Sequence, residues 1–171
     1  NKEDDHLELI AKENNIEFFR GHEKDVLGRM LNAVANKKAD VIVRITGDDI
    51  LVDPEYIDIG LKDHLRKNVE YTDLKELPSG TEVEIFNHKL LQDIYKCCTN
   101  KEETEYLTYF ITKNKDQIKT NSLNVIEKHA KNWRLTLDTK DDYLVIKKFI
   151  EHIKLKGKLE EYKLDDIVEF F

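Results

Sequence analysis

Apolar and polar positions along this chain follow two rhythms, one of helices and one of strands. Between residues 2 and 14 the apolar residues Leu7, Leu9, Ile10 and Ala11 stand among charges, the pattern of an amphipathic helix. Residues 16–19 form a short apolar run closed by Arg20-Gly21, which predicts a strand. Val26, Leu27, Met30, Leu31 and Val34 predict a second helix, ending near Asn36. Residues 40–46 carry the β-branched run Val41 to Ile45, the composition of a buried strand, and predict the central strand of a sheet. Asp53-Pro54 reads as an N-cap followed by proline at the first helical position, opening a helix to Lys67 with Ile57, Leu61 and Leu65 on one face. Residues 69–72 predict a strand.

The second half continues the alternation. Pro78-Ser79-Gly80 is the clearest turn signal. Residues 82–86 alternate as Glu-Val-Glu-Ile-Phe, a strand with Glu82 and Glu84 on its polar face. Residues 88–98 and 102–113 read as helices, 119–127 as a weak strand and 133–137 as a stronger one. Thr139 with Asp142 forms a capping-box pattern opening a helix that buries Tyr143, Ile146, Ile150 and Ile153. A charged stretch over 154–161 reads as an exposed connection, and Leu164, Ile167, Val168 and Phe171 predict a last short helix. Strands alternating with helices imply an α/β sandwich around a mostly parallel sheet. No repeat or long linker interrupts residues 1–171, so a single domain is expected.

Composition narrows the class. The chain has 171 residues, 40% hydrophobic and 37% charged, with a net charge of −7. That acidity, without a basic stripe carrying interleaved aromatics, argues against nucleic acid as a partner. No apolar run approaches the roughly 18 residues of a membrane span, so no membrane insertion is expected. Cys97 and Cys98 are adjacent and lack a matching pair, which argues against a disulfide framework or zinc site and for a cytoplasmic protein.

The candidate chemistry lies where strands end. Gly47 breaks the run over 41–45, and Asp48 and Asp49 follow at once. Ligands of open α/β sheets bind at the carboxyl ends of strands. A hard cation such as Mg²⁺ takes one or two carboxylates and fills its shell with substrate phosphates. Asp138 repeats the context of strand, acid and helix start, so Asp48 and Asp138 are expected to converge. Each also has a plain reading, as an acidic turn or as a helix-start acid facing the dipole. Glu82 and Glu84 fit a sugar hydroxyl or a second metal, or simply a solvated edge-strand face. Arg20 and Arg44 sit near strand ends and suit anion contacts or salt bridges. The six histidines show no metal-ligand spacing, and most fall on predicted helix surfaces.

Taken in order, the segments are more specific than singly. They are Arg20-Gly21-His22-Glu23-Lys24-Asp25-Val26-Leu27-Gly28-Arg29, Val41 to Asp48 ending Ile45-Thr46-Gly47-Asp48, Asp53-Pro54, Gly80-Thr81-Glu82-Val83-Glu84-Ile85-Phe86, Glu105-Tyr106-Leu107-Thr108 and Trp133-Arg134-Leu135-Thr136-Leu137-Asp138-Thr139. The series resembles the cytidylyltransferase family of CMP-Kdo synthetase, acylneuraminate cytidylyltransferase and, most closely, SpsF-like proteins of spore-coat polysaccharide biosynthesis. The resemblance implies a nucleotide-diphospho-sugar transferase fold, GT-A-like and Rossmann-like. It implies transfer of CMP from CTP to a sugar hydroxyl with release of pyrophosphate. It makes Asp48 and Asp138 the catalytic carboxylates and the Mg²⁺ ligands. It puts Arg20, Arg44 and Gly47 toward the nucleotide and Gly80, Glu82, Glu84 and Glu105 toward the sugar. By analogy it suggests a homodimer.

The departures from that pattern set further expectations. The family opens with a strand and a Gly/Arg-rich triphosphate loop, and no such loop occurs in this sequence. A βαβ unit of roughly 30 or more residues is thus expected to be absent, leaving the sheet N-terminally incomplete. Asp49-Ile50 follows Asp48, Glu82 stands for the usual Asp, and Tyr106 and Tyr109 replace a His and a Pro. The alternatives are another GT-A-fold nucleotidyl- or glycosyltransferase, or a non-catalytic degenerate domain.

Overall fold

The structure, a computed structural model, describes residues 4–104 and 107–171. In chain order the elements are α1 (Asp5–Glu13), α2 (Val26–Ala33), β1 (Val41–Arg44), α3 (Pro54–Lys67), β2 (Tyr71–Asp73), β3 (Glu84–Asn87), α4 (His88–Cys97), α5 (Leu107–Lys113), β4 (Thr120–Ser122), α6 (Lys140–Leu155) and α7 (Leu164–Phe170). They fall into two compact units. One comprises residues up to 40 with 88–117, the other 41–87 with 118–171. The chain passes between them beside strand ends rather than through linkers, so no shift in composition marks the division.

The first unit is helical. α2 packs on α4, and Asp25 organises their junction. Its carboxylate accepts the Gly28 N–H at 2.9 Å, capping α2, the Tyr95 hydroxyl at 2.7 Å and the Thr104 hydroxyl at 3.1 Å. Residues 16–19, predicted as a strand, form none. Ile16 is exposed, as are Phe18 and Phe19, and no neighbouring strand among the described residues supplies the ladder a strand needs.

The second unit holds a four-stranded sheet among the described residues, in the order β1-β3-β2-β4. β1 and β2 both run antiparallel to β3, and β4 runs parallel to β2. β1, β2 and β4 therefore point one way and β3 opposes them, an α/β mixed sheet. β1 lies at an edge of the described sheet rather than at its centre, and is four residues long. β3 is interior, which corrects the reading of Glu84 as part of a solvated edge face, while Glu82 lies two residues ahead of the strand. Arg44 and Tyr71 reach Glu84 from the strands on either side of β3, at 2.6 and 2.8 Å. Residues 133–137, predicted as a strand, contribute a single bridge, Ser79 to Arg134.

α3 covers the sheet closely at Gly60, where an added Cβ would lie 3.0 Å from Ile85 and 3.1 Å from Leu74. Leu51, Leu74, Ile85, Phe149, Ile153, Leu164 and Ile167 are fully buried in one core with faces of α6 and α7. Phe149 meets Tyr162 and Phe170 edge-on at 5.6 and 5.4 Å, the geometry favoured by ring quadrupoles. Two histidines are buried, and of these His64 departs from the helix-surface placement expected of most. His64 is buried between the Thr72 hydroxyl at 2.9 Å and the Asn87 amide oxygen at 3.1 Å. His129 is buried between the Tyr56 hydroxyl at 2.7 Å and Asp165 at 2.8 Å. Both knit elements together, and every polar atom they bury has a partner. No helix among the described residues is long and apolar enough to cross a membrane.

Candidate active site

The sheet edge at the carboxyl end of β1 gathers the acids. Opposite Arg44, the last residue of β1, β3 begins with Glu84. The chain then turns through Thr46 to Asp49, closed by the Asp49 N–H on the Thr46 carbonyl at 3.2 Å. The Thr46 hydroxyl donates to the Asp49 carboxylate. The Asp48 carbonyl accepts the Leu137 N–H at 2.9 Å, and this bond sets the turn beside the residue preceding Asp138.

The arm that carries Asp138 is fixed from its other end by the Pro78–Gly80 turn. The Ser79 N–H donates to the Trp133 carbonyl at 2.9 Å, and the Leu135 N–H donates to the Ser79 carbonyl at 2.6 Å. Gly80 permits this approach. Its φ is +97°, and a Cβ there would stand 2.4 Å from the Leu135 carbonyl carbon. Asp138 accepts the Thr136 hydroxyl at 2.8 Å and pairs with Arg134. Arg134 in turn holds Asp142 at 2.8 Å. Asp142 completes the capping box with Thr139 that opens α6, and these bonds keep its carboxyl well below the usual carboxylate range.

The electrostatics mark one crowded acidic edge. Burial raises the Asp49 carboxyl above its ordinary value. The Thr46 hydroxyl opposes that, and the charges of Asp48 and Asp138 add to it. Burial, and then repulsion from Asp49, pushes Glu82 up to about 7 against the pull of Lys75. Asp48, unlike Asp138, has no side-chain hydrogen bond or ion pair among the described residues. At Gly47 a Cβ would meet nothing within 4 Å, so open space adjoins Asp48.

The second unit thus brings Asp48, Asp138, Arg44, Gly47, Gly80, Glu82 and Glu84 to one region, but their duties differ. Arg44 and Glu84 are a partly buried ion pair across two strands, and Gly80 shapes the turn. Arg20 lies in the first unit, where its guanidinium meets Asp5 at 2.9 Å and Glu8 at 3.5 Å. Glu105 lies outside the described residues. Sequence reasoning missed Arg134 as the partner of Asp138, although a pair four residues apart was a visible signal. It also missed Lys75, Lys131 and Asn132, which line a cavity with Glu82 and Trp133 and carry no recognisable motif.

Residues 2–165 match the family model of the cytidylyltransferases. The chain belongs to the cytidylyltransferase family. It is 34% identical over 146 residues to the spore coat polysaccharide biosynthesis protein SpsF of Bacillus subtilis (strain 168), an alignment covering 84% of this chain and 61% of that protein. It is 34% identical over 155 residues to an uncharacterized protein of Methanocaldococcus jannaschii, covering 90% of this chain and 64% of that one. The chain therefore spans less than two thirds of the curated relatives it matches. Its fold superposes on the structure of a cytidylyltransferase from Leptospira borgpetersenii serovar Hardjo-bovis (strain JB197), with a TM-score of 0.87 and 28% identity. That superposition covers 97% of this chain and 70% of the other. The mixed α/β sheet is thus that of a cytidylyltransferase.

Among the described residues, no group of three or more His, Cys, Asp or Glu side chains is arranged to hold a metal alone. Asp48, with open space at the neighbouring Gly47, and the Oδ1 of Asp138, which Arg134 and Thr136 leave uncovered, suit a cation that draws its remaining ligands from phosphate oxygens and water.

Proposed function

We propose that this protein is a Mg²⁺-dependent cytidylyltransferase that transfers CMP from CTP to a sugar hydroxyl, activating the sugar for surface or spore-coat polysaccharide synthesis. The observation that carries the reading is the bond from the Leu137 N–H to the Asp48 carbonyl, which sets the Asp48 turn against the Asp138 arm. Family membership supports the nucleotide, and the likeness to SpsF supports the polysaccharide context.

Phosphoryl chemistry asks a protein mainly for positioning and charge neutralisation. Asp48 and Asp138 would hold Mg²⁺, which when bound supplies positive charge to the phosphates and acidifies the attacking hydroxyl. The rest falls to the protein. Arg134 and Thr136 fix the orientation of the Asp138 carboxylate. Gly47 leaves room for a ligand beside Asp48. Arg44 and Tyr71 hold Glu84, and with it the start of β3, in place. We place the reaction in the cytoplasm, where CTP is made, and expect a homodimer by analogy alone.

The test is pyrophosphate release by the whole gene product with CTP, Mg²⁺ and a broad panel of sugars. Sugar-dependent release, abolished by EDTA and by Asp48→Ala, is the expected result. Release from UTP or GTP in preference to CTP, or none above the Asp48→Ala background, would overturn the reading.

A further inference from the structure

Of the acids at the active edge, two carboxylates, those of Asp48 and Glu82, have no hydrogen bond or ion pair among the described residues. Glu84 gives one oxygen to Arg44 and the other to Tyr71. Arg134 and Thr136 bond one oxygen of Asp138, its Oδ2, and Thr46 bonds Oδ2 of Asp49. Asp73 accepts the Ser122 hydroxyl at 2.7 Å and the Lys75 N–H at 3.2 Å. Asp48 stands beside the open space at Gly47. Glu82 has neither a hydrogen bond nor an ion pair among the described residues, although it is partly buried.

Glu82 also lines a cavity of about 500 Å³ with Lys75, Ser79, Lys131, Asn132 and Trp133. That volume suits a small polar ligand. Trp133 packs partly into the core, and the Lys131 ammonium stands 6.0 Å from its ring centroid. Ser79 belongs to the turn that fixes the Asp138 arm, so cavity and acidic edge share one piece of backbone. The two buried histidines are bonded on both ring nitrogens elsewhere in the unit, and no histidine is among the residues lining this cavity.

We propose that the cavity takes the acceptor sugar and that Glu82 is the base for its attacking hydroxyl, an inference that rests on the cytidylyltransferase reading above. The hydroxyl oxygen forms a bond to the α-phosphorus. The bond from that phosphorus to the α–β bridging oxygen breaks, and pyrophosphate leaves with the electron pair. The hydroxyl proton passes to a Glu82 oxygen. A carboxyl raised by burial toward neutrality is matched to this duty, because base strength and availability are best balanced when the pKa lies near the working pH. Lys75, which opposes that rise, keeps the group ionised often enough to act.

The test compares wild type, Glu82→Gln and Glu82→Asp in the whole gene product, by CTP binding and by sugar-dependent pyrophosphate release across pH. Glu82→Gln should lower kcat by about 10²–10⁴-fold, the usual range for loss of a general base. It should leave CTP affinity within threefold and abolish the acid limb of the kcat profile. Glu82→Asp should recover part of the rate. A Glu82→Gln enzyme within fivefold of wild type, or one that has lost CTP binding, overturns the proposal while the cytidylyltransferase reading stands. A wild-type enzyme that releases no pyrophosphate with any sugar overturns both.

Discussion

The buried carboxylate of Asp53 accepts the backbone N–H of Leu164 at 2.7 Å. Its other oxygen accepts the Glu55 N–H at 2.8 Å, so one side chain caps α3 and also receives the first residue of α7. Helix starts leave orphan N–H groups, and here two helices distant in sequence share one acceptor. Asp53→Ala orphans both donors and should cost about 2–3 kcal/mol, from the loss of a cap and of one buried charge-assisted bond. Urea unfolding measures this. Asp53→Asn keeps one acceptor oxygen and should lose about half as much.

Gly80 has a similar leverage on the active edge. Its positive φ and the 2.4 Å approach to Leu135 mean that Gly80→Ala must displace the arm leading to Asp138. We expect a destabilisation of roughly 1–3 kcal/mol. Pyrophosphate release should fall further than the folded fraction explains, because Asp138 moves with the arm. A variant as active per folded molecule as wild type would show that the arm does not set the site.

What the sequence made legible follows from how local each signal is. Asp53-Pro54 and Thr139 with Asp142 announce their helix starts within four residues, and the structure begins α3 at Pro54 and α6 at Lys140. Residues 133–137 look like a strand because their side chains suit one. Their backbone partners change instead, from Ser79 to Asp48 within three residues, and no ladder forms. Whether Glu84 is solvated depends on β3 having neighbours on both sides, a property of topology. His64 and His129 are buried because Thr72, Asn87, Tyr56 and Asp165 await them, and no local pattern encodes such partners. At the active edge, the position of Asp48 after β1 was readable, and so was that of Asp138 just before α6, although the strand expected ahead of Asp138 does not form. The shielding of Asp138 by Arg134 and the cavity beside Glu82 arise only from folding.

Glu82 should impose a pH dependence on stability. Its carboxyl is raised in the folded protein from an ordinary 4.5 to about 7, so the folded state binds that proton more tightly than the unfolded chain does. The contribution of Glu82 to stability is therefore lost as pH rises from about 4.5 to 7, and then levels. Glu82→Gln removes this dependence. Near pH 4 the two proteins should unfold alike. At pH 8 the variant should be the more stable by roughly 1 kcal/mol, below the full linkage value because solvent screens a partly exposed carboxylate. Equal midpoints at both pH values would contradict the crowding at this edge.

Asp48→Asn separates holding a cation from holding the fold. Asp48 makes its structural bond through its main-chain carbonyl to Leu137, which the substitution leaves in place. It removes one of the charges that raise the Asp49 carboxyl, so Asp49 should move back toward its ordinary value. Thermal stability should hold or rise slightly. Mg²⁺-dependent pyrophosphate release should nevertheless fall by at least about a hundredfold, since changes to a ligand's partners alone already cost about 10–100-fold. Isothermal titration with Mg²⁺ and CTP should show the same loss as weakened binding of the metal–nucleotide complex. If activity survives in a protein of unchanged stability, Asp48 is an acidic turn residue, and the cation must be held elsewhere.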